Sequence, residues 1–180
     1  MTMTPHRRSI LCGLLGAALF VIGLMLPAAA QTFPPTEAGA RALLAQFLPD
    51  STADKGAAMR RLQPTSGDYR AVYNEALAGK LEAAHRRHWL SGVTIGGKPD
   101  QTELLVVFTA TDDLIDDKPV LREFPGGYGR VVGEMKRGIP IVRFKFVKPG
   151  SSLGMAFDGL VYVNGHWVLI PKPWSVVAEP

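Results

Sequence analysis

Four stretches of this chain carry residue types at spacings that chemistry uses, and each needs a particular setting before it can act. Gly150-Ser151-Ser152-Leu153-Gly154 has the G-x-S-x-G spacing of a turn that exposes a nucleophilic serine, with Asp158 and His166 following it. That turn works between a strand and a helix inside a large parallel sheet. Here a second strand follows, so the segment reads as a glycine-rich β-turn. Gly92 to Lys98 has the spacing of a phosphate-binding loop up to its lysine, but Pro99 replaces the hydroxyl that would hold magnesium and no helix follows. His85 and His88 lie three apart on a helical segment, with Glu82 one turn earlier. Zinc wants a third or fourth ligand fixed in space, and Arg86 and Arg87 repel a cation, so no metal is expected. Asp112, Asp113, Asp116 and Asp117 place four carboxylates within six residues. They lack the glycine and closing glutamate of a calcium loop and read as a solvated connection.

No nucleophile and base therefore share a credible setting, and whether the protein is an enzyme stays open at this point. The residues kept as pocket candidates are His85, His88, Asp158, Tyr162, His166 and Trp167; no cofactor is expected. The aromatic side chains Phe144, Phe146, Phe157, Tyr162, Trp167 and Trp174 suit either a core or an apolar pocket, and the core is the favoured use.

The elements that position these residues follow from periodicity. Ala40, Leu43, Leu44, Phe47 and Leu48 recur at helical spacing until Pro49-Asp50 ends the segment. A short helix is predicted over Asp54 to Leu62. Thr65 with Asp68 has the form of a capping box for a helix through Tyr73, and Asn74 caps another from Glu75 to about Trp89. Leu77, Leu81, Ala84 and His88 are placed on its inward face. Strand patterns then cover Glu103 to Thr111, Ile141 to Val147, Met155 to Val163 and His166 to Ile170. Asn164-Gly165 joins the last two as a type I′ turn, which pairs Tyr162 with Trp167 and Val163 with His166. Pro171 and Pro173 stop the final strand. The fold class expected is α+β: N-terminal helices packed on a curved antiparallel sheet that ends in a β-hairpin.

The first thirty residues read as a signal peptide. His6, Arg7 and Arg8 precede an uncharged apolar run of 17 residues, Ile10 to Leu26, then Pro27 and an Ala28-x-Ala30 site, which predicts cleavage before Gln31. The proline and the small residues favour processing over an anchor, since a span needs about 20 apolar residues. Arg7-Arg8 also fits a twin-arginine signal alongside the general export route. The expectation is a periplasmic or secreted single domain, 31 to 180, with no membrane span in its mature form. Removing Arg7 and Arg8 from 20 basic residues leaves 18 against 16 acidic ones, a balance that does not imply nucleic acid. The one cysteine, Cys12, goes with the leader, which excludes disulfides and thiolate chemistry from the mature domain.

Gly165-His166-Trp167, opening the last strand, together with helices preceding a meander, resembles the NTF2-like and cystatin-like cone folds. The resemblance implies a conical pocket between sheet and helices, in a superfamily that spans enzymes, binders and scaffolds. The leading expectation is an exported domain that binds a small ligand or an envelope protein without catalysis. The alternative is a small isomerase or hydratase that works through histidine and carboxylate.

Overall fold

The computed structural model describes residues 1, 32–92 and 94–177. The leader, with its Ala28, Ala30 and Gln31 cleavage site, lies outside the described residues.

Each helix begins where a polar side chain satisfies the free backbone N–H groups of its first turn. Thr36 caps α1 (Glu37–Ala45) and Asp54 caps α2 (Lys55–Arg61). Thr65 and Asp68 close a reciprocal capping box on α3 (Ser66–Val72). Asn74 caps α4 (Glu75–Leu90). The chain then enters β1 (Glu103–Ala110), a single-turn helix α5 (Thr111–Ile115) and three short 3-10 turns. It continues through β2 (Pro140–Val147), β3 (Gly154–Val163) and β4 (His166–Leu169), and ends in a 3-10 turn at Pro173–Val176. The four strands form one antiparallel sheet in the order β1-β2-β3-β4. The α+β class and the helices ahead of the sheet are thus present.

The hairpin register is the expected one: Tyr162 opposes Trp167 and Val163 opposes His166. Asn164 and Gly165 have φ of 51° and 82°, the positive values that a tight two-residue connection between right-twisting strands favours.

Helices cover both faces of the sheet, where the sequence pattern suggested one covering side. Val142, Phe144, Phe146, Leu160, Trp167 and Leu169 pack with Leu43, Leu44 and Phe47 of the α1 segment and Met59 and Leu62 of the α2 segment. Ile141, Val161, Val163, Val168 and Ile170 pack with Tyr69 and Val72 of α3, Leu77 and Leu81 of α4, and Leu114 of α5. The reason lies in Leu160-Val161 and Val168-Leu169-Ile170, where consecutive residues are all buried and so both sides of the strand are apolar. Each such leucine or phenylalanine contributes on the order of 1.5–3 kcal/mol. Phe144, Phe146, Tyr162 and Trp167 are used in this core, and Trp174 packs its ring 5.2 Å from that of Tyr128 on the other face.

A bulge interrupts β3. Val142 pairs with Leu160 and Phe144 with Phe157, so Asp158 and Gly159 together stand opposite Arg143. Gly159 adopts φ +75°, and a Cβ there would lie 2.1 Å from the Ile170 carbonyl oxygen. Only glycine fits, and the extra residue keeps Phe157 and Leu160 on one face while Asp158 projects to the other.

The acidic connection is more structured than its sequence suggests. Asp112 and Asp116 bind Arg137, and Asp113 binds Lys118 and Thr109, so these carboxylates fasten α5 to neighbouring cations. No helix among the described residues is long and apolar enough to cross a membrane.

Candidate functional site

Where β4 ends at Leu169, the chain turns away through Pro171 and leaves a cleft between the end of α4 and the first half of β3. The cleft has a volume of about 310 Å³. Its apolar lining comes from Trp89, Ile95, Ala156, Phe157, Leu169 and Pro171, and its polar groups include His85, His88, Asp158 and Lys172. That composition and size sit at the small end of ligand pockets.

Asp158 is 6% exposed. Its Oδ1 accepts from the Lys172 backbone N–H at 2.9 Å and from the Tyr128 hydroxyl at 3.2 Å. These two bonds explain why Lys172, a non-glycine residue, is held at φ 50°. Burial pushes the Asp158 carboxyl above its ordinary value, against the pull of those hydrogen bonds and of the Lys172 and Arg143 charges. Its second oxygen has no partner among the described residues. Tyr73 lies fully buried in the adjoining core, and its hydroxyl also has no hydrogen-bond partner among them.

His85, not His88, is the inward histidine of α4, because Leu77, Ala78, Leu81 and His85 form the buried stripe. Its Nδ1 lies 3.2 Å from the Tyr69 hydroxyl. Burial disfavours the imidazolium and keeps the ring neutral near pH 7. Burial and the neighbouring His88 lower its pKa to about 4, with the nearby Pro171 backbone opposing them. Tyr69 in turn is pushed up to about 12 by burial, with the nearby Trp89 side chain opposing it. Tyr69 and His85 thus form one buried hydrogen-bonded pair beside the cleft.

This arrangement has a measurable consequence. Between pH 6.5 and 4 the unfolded chain takes up a proton at this histidine and the folded chain does not, so stability falls as pH falls through that window. The full loss corresponds to about 3 kcal/mol. Asp158, with its raised pKa, contributes in the opposite sense, so the comparison is with His85→Gln. Urea unfolding midpoints measured from pH 7 to 4 are expected to fall less steeply in that variant; parallel slopes would remove the neutral buried histidine from the account.

Of the pocket candidates, the structure brings His85, His88 and Asp158 together and places the other three away from the cleft. Trp167 is core, its indole N–H donating to Phe33 and Pro34 carbonyls. Tyr162 packs edge-on against it, ring centroids 5.3 Å apart. His166 faces Asp68, Nε2 to Oδ2 3.4 Å. Sequence reasoning did not single out Tyr128, Tyr69 or Lys172. The one available signal was Gly159, since a glycine within a strand pattern marks a bulge and bulges re-aim side chains. Ser151 and Ser152 sit in the loop before β3, where the Ser151 hydroxyl bonds Leu153 and no helix follows. His85 and His88 stand with ring centroids 6.1 Å apart, and among the described residues no three histidine, cysteine or acidic side chains gather as a metal site.

Fold and site together define an α+β domain whose antiparallel sheet, covered on both faces, carries an apolar cleft with one buried carboxylate. No family model, curated protein or solved structure matches the chain.

Proposed function

We propose that this is an exported, periplasmic or secreted domain that binds a ligand in the cleft beside Asp158 without catalysis. The observation that carries the reading is the division of labour between the two buried polar groups. His85 is engaged by Tyr69 through Nδ1 and held neutral by burial, whereas Asp158, which lines the apolar cleft, keeps one oxygen without a partner among the described residues. Such a site holds a small apolar group and orients it by one hydrogen bond donated to Asp158. The cone-fold resemblance of the closing hairpin supports a pocket in this kind of domain and is kept as part of the proposal. So is the signal peptide, which places the ligand outside the cytoplasm.

The test uses benzyl alcohol and phenylacetamide, each an aromatic ring with one donor. Both are expected to shift the NMR signals of Trp89 and Phe157. Asp158→Asn retains an acceptor for Lys172 and Tyr128 but can turn a donor into the cleft, and should weaken binding about tenfold, the equivalent of roughly 1.4 kcal/mol. Spectra that neither fragment perturbs would remove the cleft as a binding site.

One observation favours the second reading, an isomerase or hydratase. Asp158 has the raised pKa and free oxygen of a general acid or base. The buried His85, its Nδ1 engaged by Tyr69, weighs against it, because no second group in the cleft is equally poised.

A further inference from the structure

The cleft borders an open strand edge. β3 runs for ten residues but β4 pairs only with Leu160–Val163, and the ladder extends one step further through the Ile170 N–H to the Gly159 carbonyl at 2.8 Å. Among the described residues, Gly154, Met155, Ala156 and Phe157 pair with β2 alone. The orientation of this edge follows from the opposite side of the sheet. Leu104 turns its carbonyl outward to Arg41, 3.2 Å away, so its partner Phe146 directs its backbone groups to β3. By alternation Lys145 faces β1, and its partner on β3, Ala156, directs its N–H and C=O away from β2 to the open side.

Natural edges are blunted by charge, proline or cover. This one has none of the first two: Met155 and Ala156 are exposed, and the two prolines stand after β4, where they lead the chain off the edge. The Asp158 bond to Lys172 holds the departing chain in that course. Ala156 and Phe157 are at once the open edge and the lining of the cleft.

We infer that the occupant of the cleft is a side chain of an extended partner segment, which adds to β3 as a strand beside Gly154–Phe157 in line with β4. This rests on the cleft being a binding site and names what enters it. The segment carries one bulky apolar residue for the cleft, with a backbone N–H for the free oxygen of Asp158. It also carries acidic neighbours. Lys145 opposes Ala156 and Arg143 opposes the bulge, so both project on the face of Asp158, with Lys172 at the cleft. Arg143 is half-buried with no ion pair or hydrogen bond among the described residues, so three cations face one carboxylate. A second copy of the chain would bring the same cations against these, which favours an acidic partner strand over self-pairing.

The experiment is selection of a displayed library of random twelve-residue peptides on the purified protein, followed by hydrogen exchange of the complex. Enriched peptides are expected to alternate, with a bulky apolar residue and flanking Asp or Glu. Exchange at the Ala156 amide should slow at least tenfold. Ala156→Pro removes an outward N–H without touching the β2 ladder, and should lose at least tenfold in affinity with an unchanged circular dichroism spectrum. Peptides that bind wild type without protecting Ala156, or no enrichment at all, would overturn strand addition. Exchange on the wild-type protein decides this even where the variant misfolds. Fragment shifts at Trp89 and Phe157 without Ala156 protection would keep the cleft and discard the strand. Ala156 protection without a response at Phe157 would discard the cleft as the side-chain site. Protection that grows with protein concentration alone would assign the edge to a second copy, against the inference.

Discussion

Gly159→Ala is expected to destabilise the protein by about 3–5 kcal/mol, which for a domain of this size lowers the melting temperature by roughly 10 °C or more. Two causes add. The backbone sits at φ +75°, where a side chain costs on the order of 1–2 kcal/mol. The new Cβ would also stand 2.1 Å from the Ile170 carbonyl oxygen and 2.6 Å from its carbon, backbone atoms just past the end of β4 that have no rotamer to give. Relief requires β4 to separate from β3 at the point where Asp158 is aimed, so the variant should also lose the Lys172 and Tyr128 bonds. Thermal melts of wild type and variant check the prediction. A shift of a degree or two would mean that the bulge relaxes freely and that the aim of Asp158 is soft.

Asp68→Ala carries the second large effect, about 3–4 kcal/mol, for a residue only 1% exposed. One oxygen accepts from the Thr65 backbone N–H at 2.8 Å and the Thr65 hydroxyl at 2.7 Å, and lies 3.4 Å from His166 Nε2. The other accepts from Asn164 at 2.7 Å. A single carboxylate therefore caps α3 and fastens it to the turn of the closing hairpin. Burial alone would raise its pKa, but the bonds from Thr65 and Asn164 and the nearby His166 outweigh it and hold the value below 3.8. With the folded value below the unfolded one, the stabilisation is complete above about pH 4 and is lost as pH falls through the folded value. Urea unfolding of Asp68→Ala at pH 7 and at pH 3 tests both statements. The deficit should be large at pH 7 and shrink at pH 3; a constant deficit would assign the effect to packing instead of charge.

Local signals in the sequence reported local structure well. Thr65 and Asn74 were expected to cap helices and each does, because a cap depends on residues three apart, and Thr36 and Asp54 cap two more. Asn164-Gly165 set the hairpin and with it the register of Tyr162 on Trp167. The role of Asp68 was only half legible: its capping partner is three residues away, but Asn164 is 96 residues away and no spacing rule connects them. The same limit governed the cleft. His85 and Asp158 were marked as candidates by residue type, yet the choice of His85 over His88 depended on the rotation of α4 against the sheet. A difference of a few tens of degrees decides which of two residues three apart is buried. Tyr128 reached Asp158 from a loop with no periodic pattern, so nothing local pointed to it. The second helical layer was missed because β2 was read as alternating, when Ile141 and Val147 at its ends are as buried as Phe144 and Phe146 between them.

The closing hairpin has a consequence for the order in which the molecule can mature. Trp167 and Leu169 of β4 complete the layer under α1 and α2, while Val168 and Ile170 complete the layer under α3 and α4. Synthesis reaches β4 after α1 to α5 and β1 to β3, so neither layer can close on a nascent chain that still lacks Trp167 to Ile170. Helices capped by their own residues can flicker into shape as they emerge, but the cooperative step waits for β4. Until β4 emerges the domain is an unsealed chain, open to chaperones and to any machinery that requires a polypeptide not yet folded.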